Sequence, residues 1–282
     1  MPEGDTVWRT ARQLDRALSG QVLLESDIRV PAFATVDLTG SRVVETVARG
    51  KHLLSRIGDG AEHGSPAVTL HTHLKMEGSW HLYRGGSRWR RPAHQARVVL
   101  RTADWTAVGF ALGVTEVIDR SEELAVMGHL GPDLLGADWD EDEAVLRLGS
   151  RPDRPLGEAL LDQRNLAGIG NLYKAETLFL AGVSPFREAS NVGDLTAVVR
   201  IARRLLMANR ENPIQSTTGI TRRGEQHWVY LRAGRPCRRC GSPIQSAEQG
   251  QPSRERLTLW CAHCQPSTSG APGQDSIHSP VR

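Results

Sequence analysis

The chain of 282 residues has few cysteines, few lysines and few aromatic residues, and it lacks a long apolar run. No stretch approaches the roughly 18 apolar residues that a membrane-spanning helix needs. The N-terminus also lacks the basic and then apolar pattern of a secretory signal. We therefore expect a cytoplasmic protein with no membrane partner. Only four cysteines are present, and in a reducing compartment they suit a metal ion better than disulfides.

What the chain does contain is typical of a globular protein. The hydrophobic content is 39% and the charged content is 24%, both ordinary values, and the length allows two domains. Residues 151–264 contain 17 Lys and Arg against 10 Asp and Glu, whereas residues 1–150 contain 17 against 21. A basic C-terminal half suits contact with a polyanion such as a nucleic acid, although a solvated surface would tolerate this excess as well.

In the first half, the spacing of apolar residues predicts one helix followed by strands. Residues 5–19 have apolar positions at helical spacing, with Asp5 or Thr6 as a possible cap. Between residues 22 and 118, short β-rich runs alternate with turns, which predicts an antiparallel sandwich or barrel. The predicted strands are 22–24, 42–47, 52–54, 68–70, 98–100 and 105–108.

The second half is predicted to be mainly helical, from residue 140 to about residue 207. Acidic residues 140–143 are typical of the first turn of a helix, because carboxylates favour the positive end of the helix dipole. Residues 160–180 indicate a helix, a glycine-containing turn and a second helix that begins at Asn171. The free N–H groups at such a start favour a phosphate, but an ordinary helical corner capped by Asn171 would have the same pattern.

Two Cys-x-x-Cys pairs near the C-terminus predict a metal site. They are Cys237 with Cys240 and Cys261 with Cys264, and the 20 residues between the pairs allow a β-hairpin. This spacing is typical of one structural Zn²⁺ held by four thiolates. Four protein ligands leave no open position for a water molecule, so we expect a structural rather than a catalytic zinc. The alternative is four free thiols.

The chain begins Met1-Pro2-Glu3, and this start carries potential chemistry. If Met1 is removed, Pro2 carries a free secondary amine, and an α-amino group titrates near pH ~8 against about 10.4 for lysine. An unprotonated amine attacks carbonyl-like carbons to form a Schiff base, and Glu3 is a proton donor or acceptor beside it. The alternative is that these residues are only a frayed end.

Four motifs occur in a particular order along the chain. They are the Pro2-Glu3-Gly4 start, Gly50-Lys51-His52, the turn that contains Gly168-Ile169-Gly170-Asn171-Leu172-Tyr173, and the two cysteine pairs. Together they resemble the formamidopyrimidine-DNA glycosylase / endonuclease VIII family of base-excision repair enzymes over residues 2–265. The residues after the start and those before Cys237 are more similar to the endonuclease VIII branch, particularly its actinobacterial members.

The resemblance implies an α+β fold and a domain organisation. An N-terminal catalytic β-sandwich flanked by helices is expected over residues 1–135. A helical DNA-binding domain with a helix–two-turn–helix follows over 136–225, and a four-cysteine zinc finger over 226–265. The Ser/Pro/Gly-rich residues 266–282 are expected to be disordered.

The resemblance also implies a function, a bifunctional DNA glycosylase and abasic-site lyase that removes oxidised bases, mainly pyrimidines. Pro2 would attack C1′ of the damaged nucleotide, Glu3 would protonate the sugar-ring oxygen, and β- and δ-eliminations would cut the strand on both sides. Lys51, Asn171 and Arg256 match the family residues that contact phosphates near the lesion, where positive charge supplies much of the affinity for DNA.

The damaged base must leave the stack before its sugar can be reached, and an apolar side chain usually fills the gap. Met76 resembles the family's wedge residue, with His73 as a phosphate contact; the alternative is that Met76 is a core residue at a strand end. Residues 216–226 correspond to the segment that reads the flipped base. Asp5 and Thr6 stand where some endonuclease VIII members have a proline and then a glutamate, so an auxiliary glutamate role is absent.

The expected partner is damaged DNA, duplex or single-stranded, bound by a monomer that is associated with the nucleoid when on DNA. Two alternatives remain open at this point. The first is a zinc-dependent protein that binds damaged DNA without turnover. The second is a glycosylase specific for 8-oxoguanine and formamidopyrimidines.

Overall fold

In the computed structural model, which describes residues 2–58, 66–253 and 255–267, the chain divides into the units Met1–His129 and Leu130–Arg282. The predicted separation of the second half into a helical domain and a zinc finger remains a prediction. Met1 and residues 268–282, which make up most of the predicted disordered tail, lie outside the described residues.

The first unit consists mainly of antiparallel strands. Its helices and strands are α1 (Gly4–Leu18), β1 (Glu25–Ile28), β2 (Arg42–Arg49), β3 (His52–Gly58), β4 (Pro66–His73), β5 (Ser79–Arg84), β6 (Ala96–Arg101), β7 (Trp105–Phe110), β8 (Val114–Asp119) and α2 (Glu123–Met127). The strands form two four-stranded sheets with the orders β1-β6-β7-β5 and β2-β3-β4-β8. The predicted α+β class with an antiparallel β-sandwich is confirmed.

Helix α1 and both sheets share one apolar core in this unit. Leu14 and Leu18 from α1 pack with side chains such as Ile57 from one sheet and Val98 from the other. On β3 and β4, Leu53, Ile57 and Leu70 belong to this core, and His52, His71 and His73 lie on the opposite, polar face, because successive side chains of a strand point to opposite faces. The polar face is where the histidines described below lie.

Two local predictions in the first unit are wrong. The helix predicted over 5–19 is present, but its N-cap is Glu3, and no side chain caps it. The chain enters the helix earlier than predicted, which places Asp5 inside the first turn. The strand predicted at 22–24 is a crossing between the two sheets, because the Leu23 N–H donates to Ser41 and the Leu24 N–H donates to Arg101.

The second unit contains four helices and one hairpin within the described residues. They are α3 (Glu141–Gly149), α4 (Leu156–Leu161), α5 (Asn171–Ala181), α6 (Leu195–Asn209), β9 (Gln245–Gln249) and β10 (Arg256–Trp260). The acidic start of α3 is confirmed, and Asp140 caps the helix by accepting the Glu143 N–H at 2.9 Å. The predicted hairpin between the cysteine pairs is β9–β10.

Helix α5 is buried over almost its whole length. Its first nine residues are all buried, including the charged Lys174 and Glu176. One side of the helix packs in the helical core with Leu172 and Leu178, and the other side packs with Phe179 against the hairpin and the cysteine pairs. Within the residues that the structure describes, no helix is both long and apolar enough to cross a membrane.

Candidate functional site

The N-terminal residues are held in place rather than frayed. Glu3 is fully buried at the N-cap of α1, and its carbonyl accepts the Val7 N–H at 3.0 Å. Pro2, directly before it, is partly buried. A carboxylate at this position is favoured by the positive end of the helix dipole. The structure therefore places a buried carboxyl side chain directly after Pro2, at a defined position.

Lys51 lies in a two-residue turn between β2 and β3. The turn is allowed by Gly50, whose φ of 57° is in the left-handed region that glycine adopts without steric cost. Lys51 is partly buried, and its charge is one of the causes that lower the pKa of His73. Lys51 and His73, which were predicted from separate motifs, are thus close together in the first unit.

The tautomer of His73 is set by a backbone N–H group two residues further along the chain. Nδ1 of His73 accepts the Lys75 N–H at 2.9 Å, so the neutral ring carries its proton on Nε2. Burial, followed by the charges of Lys75 and Lys51, lowers the pKa of His73 to about 4. At neutral pH the ring is therefore uncharged, with Nε2–H as a donor.

Met76 lies in the turn between β4 and β5, three residues before β5 begins at Ser79. Its side chain is 64% exposed, so the alternative interpretation as a core residue is wrong. The preceding Lys75 has a φ of 51°, an uncommon conformation for a residue other than glycine. The assignment of Met76 as a wedge in the DNA stack stays a prediction.

A chain of hydrogen bonds beside Lys51 was not anticipated from the sequence. Nδ1 of His52 lies 2.8 Å from Nε2 of His71, and Nδ1 of His71 lies 2.9 Å from Oε2 of Glu116. Burial, followed by the charges of nearby histidines and Lys75, lowers the pKa of His52 to about 3. The only signal in the sequence is His-x-His at 71–73, which places two histidines on one face of a strand.

In the second unit, Asn171 is the first residue of α5 and is 9% exposed. The N-cap is Gly170, and no side chain caps the helix, so the alternative of Asn171 as an ordinary cap is wrong. Its Nδ2 instead donates to the carbonyl of Leu257 at 2.7 Å, while its Oδ1 is buried without a hydrogen-bond partner.

Arg256 is the first residue of β10 and is exposed. It pairs with Gln249 across the hairpin, and it is adjacent to Leu257, the residue that Asn171 contacts. The hairpin therefore brings Arg256 next to the start of α5, although the two residues are 85 positions apart in the sequence.

The four cysteines are brought together as the sequence predicts. Their sulfur atoms all lie within 4.8 Å of one another, with 3.4 Å between Cys240 and Cys261 and 3.9 Å between Cys237 and Cys264. No disulfide joins them. A tetrahedral metal with metal–sulfur bonds of about 2.3 Å separates its ligands by about 3.8 Å. These residues are therefore placed to bind one metal ion.

Two charged residues inside α5, Glu176 and Lys174, bind neighbouring segments of the second unit, and the sequence did not reveal this role. The carboxylate of Glu176 accepts the N–H groups of Trp228, Val229 and Tyr230, each at 2.8 Å, and the hydroxyl of Thr217. Lys174 donates from Nζ to Oγ1 of Thr258 on β10 at 2.7 Å.

The bonds of Glu176 hold residues 217–230 against α5, and the bond of Lys174 holds the β9–β10 hairpin against the same helix. In the predicted base-reading segment, the N–H of Thr217 donates to Gln226 at 2.8 Å, which closes the loop, and Arg222 and Arg223 are exposed on it. Charged side chains within an otherwise buried helix would have been the signal for these roles.

Comparisons with known proteins identify the family. Residues 1–111 match the formamidopyrimidine-DNA glycosylase N-terminal domain, and residues 130–211 match the formamidopyrimidine-DNA glycosylase H2TH domain. The chain is 52% identical over 279 residues to "Probable endonuclease 8 2" of Streptomyces coelicolor, covering 97% of each chain. It is 47% identical over 265 residues to "DNA-(apurinic or apyrimidinic site) lyase Nei2" of Mycolicibacterium smegmatis, covering 94% of this chain and 99% of the relative.

The fold of the chain is similar to that of solved formamidopyrimidine-DNA glycosylases. A Lactococcus lactis formamidopyrimidine-DNA glycosylase, solved non-covalently bound to DNA with an abasic site, superposes with a TM-score of 0.76 at 23% identity, covering 94% of this chain and 99% of that one. At this identity the likeness shows the fold alone. The domain matches and the two long sequence relatives show that this chain belongs to the formamidopyrimidine-DNA glycosylase / endonuclease VIII family, on the endonuclease VIII side and close to its actinobacterial members.

Proposed function

We propose that this protein is a bifunctional DNA glycosylase and abasic-site lyase of base-excision repair that acts on oxidised bases, mainly pyrimidines. The observation that carries the proposal is the start of the chain, where Pro2 is followed by a fully buried Glu3 at the beginning of α1. Endonuclease and abasic-site lyase are the activities in the names of the two relatives. A protein that only binds DNA has no need of an amine and a buried acid at this position.

The proposed chemistry uses the amine and the acid together. The nitrogen of Pro2 forms a bond to C1′, and the base leaves with the electrons of the glycosidic bond. Glu3 donates a proton to the sugar-ring oxygen, which opens the ring and produces a Schiff base between Pro2 and C1′. The Schiff base acidifies the C2′ proton, and loss of this proton forms a C2′=C3′ double bond and expels the 3′ phosphate. Loss of the C4′ proton from the resulting conjugated imine then expels the 5′ phosphate. The product is a one-nucleotide gap with a phosphate at each end.

Several residues are proposed to hold the DNA. Lys51 supplies a charge, and His73 supplies the Nε2–H donor that its tautomer leaves available. In the second unit, Asn171 and Arg256 are neighbours through β10 and are proposed to contact phosphates that flank the lesion. Met76 is proposed to enter the stack where the damaged base has left, because it is an exposed apolar side chain on a turn.

The metal that the four cysteines bind is proposed to be Zn²⁺. Thiolate ligands at these separations suit zinc in a four-coordinate site. Bound there, zinc would cross-link residues 237–240 to residues 261–264 at the base of the hairpin. Its contribution is to hold β10, and therefore Arg256, in place. We infer that residues 226–265 act as a zinc finger in this sense.

Borohydride trapping on abasic DNA tests the chemistry. Reduction of the Schiff base should leave a covalent protein–DNA adduct, which mass spectrometry should map to Pro2 at a trimmed N-terminus. Pro2→Gly and Glu3→Gln should abolish base release while largely retaining DNA binding. Pro92→Gly and Glu122→Gln, which change the same residue types at exposed sites in the first unit, should behave as the wild type.

Two outcomes would replace the proposal. DNA binding without any adduct, on abasic DNA and on several lesions, would favour a zinc-dependent damaged-DNA-binding protein. Release of 8-oxoguanine or formamidopyrimidine in preference to oxidised pyrimidines, in a panel of lesion-bearing duplexes, would change the substrate class. An adduct that maps to a lysine instead of Pro2 would refute the assigned nucleophile.

A further inference from the structure

His52, His71 and Glu116 form a hydrogen-bonded chain, here called the histidine relay, that the proposed chemistry leaves unused. The three side chains lie on the polar face of the sheet β2-β3-β4-β8, where His71 pairs across the strands with Glu116. His71 is 3% exposed, whereas His52 and Glu116 at the two ends are partly exposed. The relay thus connects two points of the surface through a buried ring, and one end is adjacent to Lys51.

The number of protons in the relay decides what His52 presents to its surroundings. A neutral imidazole has one donor and one acceptor nitrogen, and a carboxylate only accepts. Glu116 therefore requires His71 to donate from Nδ1, and a neutral His71 then accepts at Nε2. His52 must in turn donate from Nδ1, and its Nε2 is left with a lone pair. A lone pair repels a phosphate oxygen.

One additional proton reverses this arrangement. If His71 donates from both nitrogens, His52 accepts at Nδ1 and carries its own proton on Nε2. Nε2–H of His52 is then a donor that a phosphate oxygen accepts. His73 differs in this respect, because the Lys75 N–H already holds its proton on Nε2 without any uptake.

We propose that contact between a DNA phosphate and Nε2 of His52 is coupled to the uptake of one proton by the histidine relay. In this role His52 is a phosphate contact beside Lys51, and His71 and Glu116 are positioning residues. The inference rests on the proposed function, because it describes how the same site binds DNA. The extra proton is carried by His71 against the carboxylate of Glu116, where the two charges offset each other.

The surroundings of His52 agree with this location of the proton. Burial, followed by neighbouring positive groups, lowers the pKa of His52 to about 3, so that ring does not hold the charge itself. A phosphate would be attracted by the basic groups around it. The charged or titratable groups that face His52 are Arg49 on β2, Lys51, His71 and His73 on β4, Lys75, and His129 after α2.

Calorimetry can count the protons. The full-length, zinc-loaded protein is titrated with a duplex that contains a tetrahydrofuran abasic analogue, which has no base to release. Comparing buffers of different protonation enthalpy, at one pH and ionic strength, gives the number of protons taken up. The wild type should take up about one proton more than His52→Asn, whose amide keeps a polar atom near the Nδ1 position but has nothing at Nε2. By linkage, the slopes of log K against pH should differ by about one.

Glu116→Gln distinguishes a proton relay from a merely structural contact. The amide can donate to Nδ1 of His71, so His71 can donate to His52 without an extra proton. This variant should lose the proton uptake but keep, or exceed, the wild-type affinity at pH 8. Glu122→Gln makes the same change of charge at an exposed site of the first unit and should retain the wild-type uptake.

Equal proton uptake by the wild type and His52→Asn would overturn the inference. If the Asn variant fails to fold, His52→Gln provides the same test, because its amide can donate to phosphate freely and should bind without the extra proton. Borohydride trapping by the wild type separates this failure from that of the proposed function. If the wild type forms an adduct but takes up as many protons as His52→Asn, only the proposal about the histidine relay is refuted. If the wild type neither binds DNA nor forms an adduct, both this proposal and the proposed function are refuted.

Discussion

The bonds made by Glu176 give a prediction whose size can be worked out. In Glu176→Gln one carboxylate oxygen becomes an NH₂ group, which cannot accept a hydrogen bond. The favourable orientation puts this group at Oε2, because the hydroxyl of Thr217 can rotate to accept, whereas Val229 and Tyr230 donate to Oε1 from the backbone. The N–H of Trp228, which donates to Oε2 at 2.8 Å, is then left opposite a donor.

The expected cost follows from these lost bonds. One buried, unsatisfied N–H costs about 1–3 kcal/mol, and bonds to a neutral amide are weaker than bonds to a carboxylate, so the total is about 2–4 kcal/mol. A difference of about 1.4 kcal/mol is tenfold in an equilibrium. If the segment exchanges by local opening, the amides of Val229 and Tyr230 should exchange roughly 30- to 1000-fold faster in the variant.

Hydrogen exchange measured by mass spectrometry on peptides from residues 217–230 tests this directly. Glu211→Gln is the matched control, since Glu211 is a surface residue with a side chain that is 68% exposed. In this control, residues 217–230 should exchange at the wild-type rate. Exchange of residues 217–230 in Glu176→Gln at the wild-type rate would refute the reasoning, because the carboxylate would then not be what holds this segment to α5.

Three further predictions concern stability and the metal. Leu231 has a φ of 58° and is 74% exposed, so Leu231→Gly should stabilise the protein by up to about 1 kcal/mol in urea unfolding; a lower midpoint would contradict this. Hydrogen bonds from Arg164 and Arg154 hold the pKa of Asp162 well below its usual range, so its stabilisation is present above about pH 4 and lost as the pH falls further. The stability gap between wild type and Asp162→Asn should therefore narrow from pH 6 to pH 2.5, and a constant gap would count against the ion pairs. Cys261→Ser should reduce bound zinc, measured by atomic emission, well below the one ion per chain expected of the wild type. One zinc ion per chain in this variant would exclude Cys261 as a zinc ligand.

Local features were largely predictable from the sequence because they depend on short-range periodicity and spacing. The acidic start of α3, the helix at the N-terminus and the hairpin between the cysteine pairs all follow from residues close to one another. The errors also have local causes. The sequence pattern predicts no strand at β1, β5 or β8, and the apolar run at residues 22–24 resembles a strand although these residues cross between the two sheets.

The candidate site was predictable only in part. The order of motifs identified the family, and the family suggested Pro2, Glu3, Lys51 and Arg256 as functional residues. No pattern in the sequence showed that Glu3 would be fully buried at the helix start. Nor did any pattern show that Met76 would be exposed.

By itself, the sequence determined the family, the spacing of the metal ligands and the polar or apolar character of each segment, because these are properties of neighbouring residues. Only the tertiary structure decided which polar groups meet. Asn171 contacts a carbonyl 86 residues away, Lys174 a hydroxyl 84 residues away, and His71 a carboxylate 45 residues away. Such pairs depend on strand register and on how a hairpin packs against a helix. A shift of one residue in register would turn His71 from the polar face of its sheet into the core.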